Sequence, residues 1–135
     1  MSESEILRKI AVIFVTDVVG FSTLMAQNEE LTLRSFRSCK EILDNLFEEH
    51  SGRIFNTAGD SVLAEFPSAV SAVICAVEFQ KLIKARNASV PNAAQMQFRI
   101  GLNMGDVIIE GTNLYGDGVN VAARLEALSQ AGGVC

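Results

Sequence analysis

The apolar run from Ile10 to Val15 constrains the fold of this chain more than any other feature. It is continuous and rich in β-branched residues, which is typical of a β-strand buried on both faces of a sheet. No apolar run in the sequence is longer, and this one falls far short of the roughly 18 residues that a membrane-spanning helix needs. The run therefore predicts a central strand and no membrane contact from this segment.

Helical and extended segments then alternate along the chain. Apolar residues three and four positions apart predict helices, and short β-branched runs predict strands. The predicted elements after the first strand are a helix from Leu31 to Gly52, strands Arg53–Thr57 and Val62–Phe66, a helix that Pro67 and Ser68 open, a strand pair Phe98–Met104 and Val107–Ile109 around Gly105, and a helix Val119–Leu128. The succession of strand, helix, strand, strand, helix and strand indicates an α+β fold, a ferredoxin-like split βαβ (palm-like) sheet with helices on one face.

The length and charge of the chain limit the classes of protein to which it can belong. A chain of 135 residues has room for one domain, and we assign residues 1–135 to it. The net charge of −5 leaves no basic stripe for a phosphate backbone, so no nucleic-acid partner is expected. A triphosphate ligand would need metal ions to balance its charge.

The cysteines and the histidine argue against several kinds of site. Cys39, Cys75 and Cys135 lie far apart with no CxxC pair, which is typical of reduced thiols and predicts a cytoplasmic location. His50 is the only histidine, and its position at the end of an amphipathic segment favours a helix C-terminal residue over a ligand. A Ser/His/Asp or Cys/His catalytic set therefore has no second plausible partner.

An aspartate follows the first strand. Asp17 comes just after the buried apolar run, where a carboxylate is costly unless it is paired or bound to a cation. Gly20 lets the backbone N–H groups of Val19, Gly20 and Phe21 turn toward one point before a helix begins, an arrangement that suits phosphate. For Asp17 taken alone, a helix N-cap is an equally good interpretation.

A second carboxylate lies in the turn Gly59-Asp60-Ser61, between two predicted strands. Alone, a Gly-Asp turn is most often structural. In a split βαβ sheet, however, the first strand lies beside the hairpin strand, so the end of that strand and this turn can meet. Two carboxylates with no basic residue nearby repel each other. Two Mg²⁺ ions, which bind carboxylates together with substrate phosphates, would relieve that repulsion.

A polar pair stands on the last predicted helix. Asn120 and Arg124 are four residues apart, so they project from one face of the helix. The small residues Ala122 and Ala123 between them allow another surface to approach closely. An isolated pair of this kind most often belongs to a solvated face, and that interpretation stays open.

Four stretches together resemble the class III adenylate and guanylate cyclases. FVTDVVGFSTLM (residues 14–25) is similar to the first metal-binding motif of that family, and GDSVLAEF (59–66) to the second. RIGLNMGDV (99–107) is similar to a central strand of the family, and LYGDGVNVAARLE (114–126) to its transition-state motif. The resemblance extends from about Arg8 to Gly133, and the family fold is the same split βαβ plan.

The resemblance implies a role for each of these residues. Asp17 and Asp60 would each bind two ions, Mg²⁺ or Mn²⁺, with the Val18 carbonyl as a further ligand. The ribose 3′-oxygen would attack the α-phosphorus of ATP, giving 3′,5′-cyclic AMP and pyrophosphate for intracellular signalling. Asn120 would orient the ribose, and Arg124 would stabilise the charge on the α-phosphoryl group. A homodimer would share two active sites, with the aspartates from one chain and the Asn/Arg pair from the other.

The chain departs from the family pattern at the positions that select the base and at its end. Asn56 stands where adenylate cyclases carry a lysine, and Asn113 where they carry an aspartate or threonine. An amide both donates and accepts, so this pair suits either base. ATP is favoured because the Glu and Cys of guanine-selective sites are absent, and GTP remains an alternative. Family domains also continue beyond the position of Cys135, so we expect a C-terminally truncated domain.

Two other functions compete with an active cyclase. A non-catalytic cyclase-like module that binds nucleotide or dimerises within a signalling protein is favoured by the altered base-selecting pair. A diguanylate cyclase shares the palm-like plan, but its Gly-Gly-acidic-acidic-Phe signature is absent, since the turn reads Ala58-Gly59-Asp60-Ser61.

Overall fold

Five strands and four α-helices occupy residues 6–135, the part of the chain that the computed structural model describes. They are β1 (Leu7–Val18), α1 (Phe21–Gln27), α2 (Glu29–His50), β2 (Arg53–Ala58), β3 (Ser61–Phe66), α3 (Ala69–Ala88), β4 (Phe98–Glu110), β5 (Asn113–Tyr115) and α4 (Asp117–Leu128), with a 3₁₀ turn at Asn92–Ala94. The predicted order of strands and helices is confirmed through β4, and His50 is the last residue of a helix, as expected.

The sheet is antiparallel throughout, and β1 lies at its centre. The strand order is β2-β3-β1-β4-β5. At the end of β1, Thr16 pairs with Val62 of β3, while Val18 pairs with Phe98 of β4. The end of β1 therefore lies beside the start of β3 and the β2–β3 turn, as the split βαβ plan requires.

Both faces of the sheet are covered by helices, which corrects one detail of the prediction. Helices α2 and α3 cover the face on which Phe14 is buried. Helix α4 covers the opposite face, where Ile13 and Val15 pack with Ala122. The expectation of helices on one face was wrong because alternate residues of a fully apolar strand point to opposite faces, and both sets need cover.

The aromatic core lies on the α2/α3 face. The ring of Phe14 is 5.2 Å from that of Phe47 and 5.6 Å from that of Phe66, measured between centroids. Phe79 and Phe98 form a further edge-on pair with centroids 5.0 Å apart. These aromatic contacts add to the apolar area that the face buries, and the edge-to-face pairs Phe14–Phe47 and Phe79–Phe98 hold α2 and α3 on the sheet.

Strand β4 is one continuous strand, so the predicted strand pair around Gly105 is wrong. Pairing with β1 extends from Leu7 opposite Ile109 to Val18 opposite Phe98, and Gly105 lies opposite Ala11 within it. The partner strand is long enough to hold β4 extended past the glycine. Strand β5, which sequence patterns did not predict, pairs with the last residues of β4.

The sheet curls until its two edge strands approach each other on the α4 face. The Arg53 guanidinium donates a 2.6 Å hydrogen bond to the carbonyl of Thr112, the residue just before β5. Phe55 of β2 and Leu114 of β5 belong to the same buried cluster. The curl therefore brings β2 and β5 together, although three strands separate them in the sheet order.

The last residues of the chain lie along β4. Val134 forms a parallel bridge with Ile100. The Cys135 N–H donates to the Ile100 carbonyl, and the Leu102 N–H donates to the Cys135 carbonyl, both at 2.8 Å. These contacts add a short extended segment to one edge of β4, near its start. Strand β5 covers the same edge near the end of β4. The expectation of a truncated domain stays a prediction.

Within residues 6–135, no helix combines the length and the apolar character needed to cross a membrane. The longest, α2, has 22 residues. Its surface carries the ion pairs Glu30–Arg34 and Lys40–Asp44, and in each pair the two residues lie one helical turn apart. Such pairs are typical of a helix with one face in water.

Candidate active site

Asp17 projects from β1 toward the α4 face and is paired with a guanidinium. It lies directly opposite Arg99 of β4. The Arg99 Nη2 atom is 3.3 Å from Asp17 Oδ2 and 3.4 Å from Oδ1. Helix α1 begins after Gly20 and has no side-chain cap, so the alternative interpretation of Asp17 as a helix N-cap is wrong. The Asp17 carboxylate is thus paired with the Arg99 guanidinium, as a partly buried charge requires.

Asp60 is joined to the same strand end. Its Oδ2 atom accepts a 2.8 Å hydrogen bond from the backbone N–H of Val18, the residue after Asp17. The preceding Gly59 has a φ of 60°, in the left-handed region, which gives the tight turn its shape. The structure thus brings the β2–β3 turn to the end of β1, as the sequence predicts.

A third carboxylate, Glu126 of α4, completes an acidic cluster around one guanidinium. Glu126 Oε2 is 3.3 Å from Arg99 Nε, and its side chain is only 8% exposed. Burial, followed by the charge and hydrogen bonding of Asp17, raises the pKa of Glu126 to about 7; Arg99 opposes the shift and Asp60 adds to it. The hydrogen bonding that Arg99 donates to the Asp17 carboxylate is the main cause of a raised pKa for Arg99.

The cluster fits divalent cations. Asp17, Asp60 and Glu126 together place more negative charge around the site than Arg99 can balance. The buried Glu126 Oε2 atom has a charge contact with Arg99 but receives no well-aligned hydrogen bond from the described residues. Hard oxygen ligands with uncompensated charge are what Mg²⁺ and Mn²⁺ prefer. The residues present therefore suit the metal ions that the sequence predicts.

Helix α4 lies close enough to the sheet to bring Glu126 to Arg99. A Cβ placed on Gly101 of β4 would clash with the Glu126 N–H and the Ala122 carbonyl, and would lie 2.7 Å from Glu126 Cα. Only glycine leaves room for the helix backbone at this position. The side chain of Asn103 also donates to the Gly118 carbonyl at 3.0 Å, which fixes the first turn of α4.

The predicted phosphate loop has the expected bend, with one difference. Gly20 has a φ of 65° and precedes α1. The Val19 N–H donates to the Gln97 carbonyl at 2.8 Å, so it is not available to a ligand in this conformation. Among the hydrogen bonds of residues 6–135, none is donated by the N–H of Gly20 or Phe21. These two amides remain the candidates for contact with phosphate.

Asn120 and Arg124 point away from the acidic cluster. Both are exposed, whereas Val119, Ala122 and Glu126 form the buried face of α4. Neither side chain makes a hydrogen bond or ion pair with any other described residue. The structure therefore does not bring this pair to Asp17 and Asp60 of the same chain, and within the chain the pair lies on a solvated face.

Asn56 and Asn113 lie on the two edge strands that the curl brings together. Asn56 is exposed on β2, and its Oδ1 atom accepts from the Thr57 N–H at 2.9 Å. Asn113 opens β5; its Oδ1 atom accepts from the Leu114 N–H, and its Nδ2 atom donates to the Tyr115 hydroxyl at 3.0 Å. Both amides therefore have their oxygen turned toward the backbone.

Sequence analysis missed Arg99 and Glu126 as members of the site. Arg99 falls in a motif that was identified only as a strand, but a charged residue in an apolar strand was a usable signal. Glu126 is four residues after the buried Ala122, which places it on the same face of α4. That spacing predicts a buried carboxylate, and a buried carboxylate needs a partner.

The chain belongs to the adenylate and guanylate cyclase catalytic domain family, whose family model matches residues 3–135. A Rhizobium meliloti protein that carries an adenylate cyclase name is 44% identical over 135 residues. That match covers 99% of this chain and 23% of the relative, so the chain spans about a quarter of the relative's length.

Two solved structures share the fold. The adenylate/guanylate cyclase/hydrolase from Silicibacter pomeroyi has a TM-score of 0.86 and 38% identity, covering 97% of this chain and 77% of that chain. The adenylyl cyclase CyaB from P. aeruginosa has a TM-score of 0.81 and 25% identity, covering 96% and 77% of the two chains. These likenesses confirm the α+β cyclase fold and the predicted family.

Proposed function

We propose that this domain converts ATP to 3′,5′-cyclic AMP and pyrophosphate, and that it does so with two divalent cations. The observation that carries the proposal is the position of the Asp60 carboxylate, which accepts a 2.8 Å hydrogen bond from the N–H of Val18, the residue after Asp17. Two carboxylates at one strand end are a suitable donor set for Mg²⁺ or Mn²⁺. The family supports the cyclase reaction.

The residues around the cluster would bind and orient the triphosphate. Ions held by Asp17, Asp60 and the Val18 carbonyl would lower the pKa of the ribose 3′-hydroxyl and balance the phosphate charge. The free N–H groups of Gly20 and Phe21 would donate to phosphate oxygens, because unpaired amides before a helix attract anions. Net attraction for the substrate would come from cations, since the chain itself has a charge of −5.

The active site would be shared between two copies of the chain. Asn120 and Arg124 are exposed and point away from the cluster of their own chain. A second copy packed head to tail would bring its Asn120 to the ribose and its Arg124 to the α-phosphoryl group, where charge develops during the reaction. Each homodimer would then contain two sites in the cytoplasm.

The base would be selected by Asn56 and Asn113. The Arg53–Thr112 hydrogen bond joins β2, which holds Asn56, to the residue just before β5, which holds Asn113. This connection supports a common pocket for the two side chains. Because an amide group can present either a donor or an acceptor, we expect ATP and GTP to differ by less than about 100-fold in kcat/KM. Replacing Asn56 with Lys and Asn113 with Asp should sharpen the preference for ATP.

The reaction is tested by supplying ATP or GTP with Mg²⁺ or Mn²⁺ and measuring cyclic product. Wild type should form cyclic AMP faster than cyclic GMP, and Asp17→Asn should form neither. Absence of product from the wild type, with nucleotide binding intact, would support the non-catalytic module. A kcat/KM for ATP that differs from the kcat/KM for GTP by far more than 100-fold would show that other residues select the base.

The shared site is tested by mixing two inactive variants, Asp17→Ala and Arg124→Ala. Random pairing makes half of the dimers mixed, and each mixed dimer has one intact site, so about a quarter of wild-type activity should return. No recovery, with subunit exchange shown by labelled chains, would mean that each chain completes its own site.

A further inference from the structure

A second group of possible metal ligands lies where the end of α2 packs against α3. Glu49 and His50 are the last two residues of α2, and Glu78 lies on α3. One ligand atom of each side chain, a carboxylate oxygen or a ring nitrogen, lies within 4.8 Å of the others. Sequence patterns alone favour a helix-end residue over a ligand at His50, because Glu78 is 28 positions away and reaches the ring only through helix packing.

The charge around this group is unbalanced. None of the ion pairs within residues 6–135 includes Glu49, and the partner of Glu78 among them is His50, with Nε2 3.4 Å from Oε2. The carboxyl end of a helix also carries a partial negative charge, so a glutamate in the last turn is unfavourable without a nearby cation. His50 is the only basic residue in the last turn of α2. The end of α2 therefore attracts a cation.

The ligand atoms are held by rigid parts of the fold. Helix α2 ends at His50, and Ser51 follows with a φ of 62°, in the left-handed region. The Gly52 N–H donates to the Phe47 carbonyl at 2.7 Å, which closes the last turn of the helix. The His50 side chain is 16% exposed, whereas that of Glu78 is 44% exposed. The imidazole is thus held in place, and the carboxylate is free to adjust toward an ion that enters from solvent.

We propose that Glu49, His50 and Glu78 bind a divalent transition-metal ion of the Zn²⁺ type, with water as the remaining ligand. An imidazole nitrogen beside carboxylates suits Zn²⁺, Ni²⁺ or Co²⁺, whereas Mg²⁺ prefers oxygen ligands. Two ligand atoms that are each about 2.0–2.1 Å from a tetrahedral Zn²⁺ ion lie about 3.4 Å apart. His50 Nε2 and Glu78 Oε2 are separated by 3.4 Å. Glu49 is exposed, so its side chain can move the short distance that brings a third oxygen to the ion.

This site lies at the other end of the β2–β3 hairpin from Asp60. Strand β2 begins at Arg53, soon after His50, and ends at the turn that holds Asp60. Its 6 extended residues are roughly 20 Å long, so one ion cannot serve both groups of ligands. The inference therefore goes beyond the proposed function and does not depend on it. An ion bound here would fasten the end of α2 to α3 and stabilise the folded domain.

Zn²⁺ binding to the protein, prepared without a histidine tag, tests the site, and competition with a chromophoric chelator gives the affinity. Glu78→Gln should weaken Zn²⁺ binding by about tenfold or more, since even a change beside a metal ligand has an effect of that size. Asp17→Asn should leave this binding in place. Glu48→Gln is the matched control: Glu48 is exposed on α2 next to Glu49 but outside the group, so its loss should change the affinity by less than about twofold.

The variants also separate this site from the acidic cluster of the proposed active site. If Asp17→Asn abolishes Zn²⁺ binding and Glu78→Gln has no effect, the ion belongs to the acidic cluster and the inference is wrong, while the proposed function stands. Equal affinity in wild type, Glu78→Gln and Glu48→Gln contradicts the inference as well, and so does a wild-type protein that binds no Zn²⁺.

The histidine ring gives a second, direct measurement. His50 is the only histidine in the chain, so its ring signals in a proton–nitrogen correlation spectrum need no separation from others. Zn²⁺ should shift the Nε2 signal, because that atom faces Glu78. The same shift in Glu78→Gln should require about tenfold more Zn²⁺ or more. Ring signals that stay unchanged while one equivalent of Zn²⁺ binds to wild type would overturn the inference.

Discussion

The two faces of the sheet are built on different principles. On the α2/α3 face, aromatic rings fill the space between sheet and helices, with Phe14 and Phe47 both less than 4% exposed. On the α4 face, the helix backbone approaches the sheet so closely that only a glycine fits at position 101. Both faces bury apolar side chains, and the second also brings charged side chains of the sheet and helix into contact.

This difference shows where stability and chemistry are placed in the domain. A packed aromatic face adds several kcal/mol of burial energy, and it tolerates changes that conserve volume. The α4 face has smaller side chains, and its close contact determines where Glu126 meets Arg99. We therefore expect changes on the α4 face to reduce activity more than stability, and changes on the aromatic face to do the reverse.

The largest effect should come from removing one charge at the site. Asp60→Asn keeps a carbonyl oxygen that can accept from the Val18 N–H, so the free energy of unfolding should change by less than about 1 kcal/mol. Loss of a metal ligand charge should lower kcat by about 100-fold or more. Product formation and thermal unfolding measure the two quantities.

Asp106→Asn is the matched control for this change. Asp106 is exposed on β4, outside the cluster, so the same substitution there should leave kcat within about twofold of wild type, as is usual at surface positions. Equal loss of activity in both variants would contradict the assignment of Asp60 to the site.

A pair of core substitutions compares the two faces directly. Gly101→Ala adds one methyl group against the α4 backbone and should cost about 1–3 kcal/mol of stability. The displaced helix should also lower the activity of the folded protein by about tenfold or more, because catalytic groups tolerate little misplacement. Phe14→Leu, at a comparable cost of about 1–3 kcal/mol in stability, should keep the activity of the folded fraction.

Urea unfolding and activity per folded molecule separate the two outcomes. If both variants lose activity only in proportion to the unfolded fraction, the α4 face has no special positioning role, and the comparison between the faces fails.

The smallest effect should be a pH-dependent change in stability. The pKa of Glu126 is raised from 4.5 to about 7 in the folded chain, chiefly by burial. Protonated Glu126 is therefore favoured by folding, and the stability it contributes is full below pH 4.5 and is lost as pH rises through about 7. Glu126→Gln should consequently be more stable than wild type at pH 8, by about 1–3 kcal/mol without metal, and the gap should vanish near pH 4.

Chemical unfolding across this pH range, with a chelator present, measures the gap. Glu110→Gln, at an exposed carboxylate of β4, is the matched control, and its difference from wild type should not vary in this way. A gap of constant size from pH 4 to pH 8 would contradict the raised pKa of Glu126.

The parts of the fold that could be predicted were those with a local signal. The apolar run of β1, the three-and-four spacing of α2 and the small turn at Asp60 are all visible within a few residues of sequence. The split βαβ plan then followed from the order of the elements, and with it the meeting of Asp60 with the end of β1. The prediction of a strand break at Gly105 was wrong because continuous pairing with β1 keeps β4 extended there, whatever the local turn tendency of the glycine.

The contacts of Arg99 with Asp17 and Glu126 could not be predicted, because they join distant parts of the chain. Asp17 and Arg99 are 82 positions apart, and they meet because the register of β1 with β4 sets them opposite each other. Glu126 reaches them because α4 packs close above Gly101. Residue type and spacing along the chain were enough to identify the strand end that holds Asp17 and the turn that holds Asp60. The partner of each charge followed from strand register and helix packing, which depend on long-range contacts that no short stretch of sequence encodes.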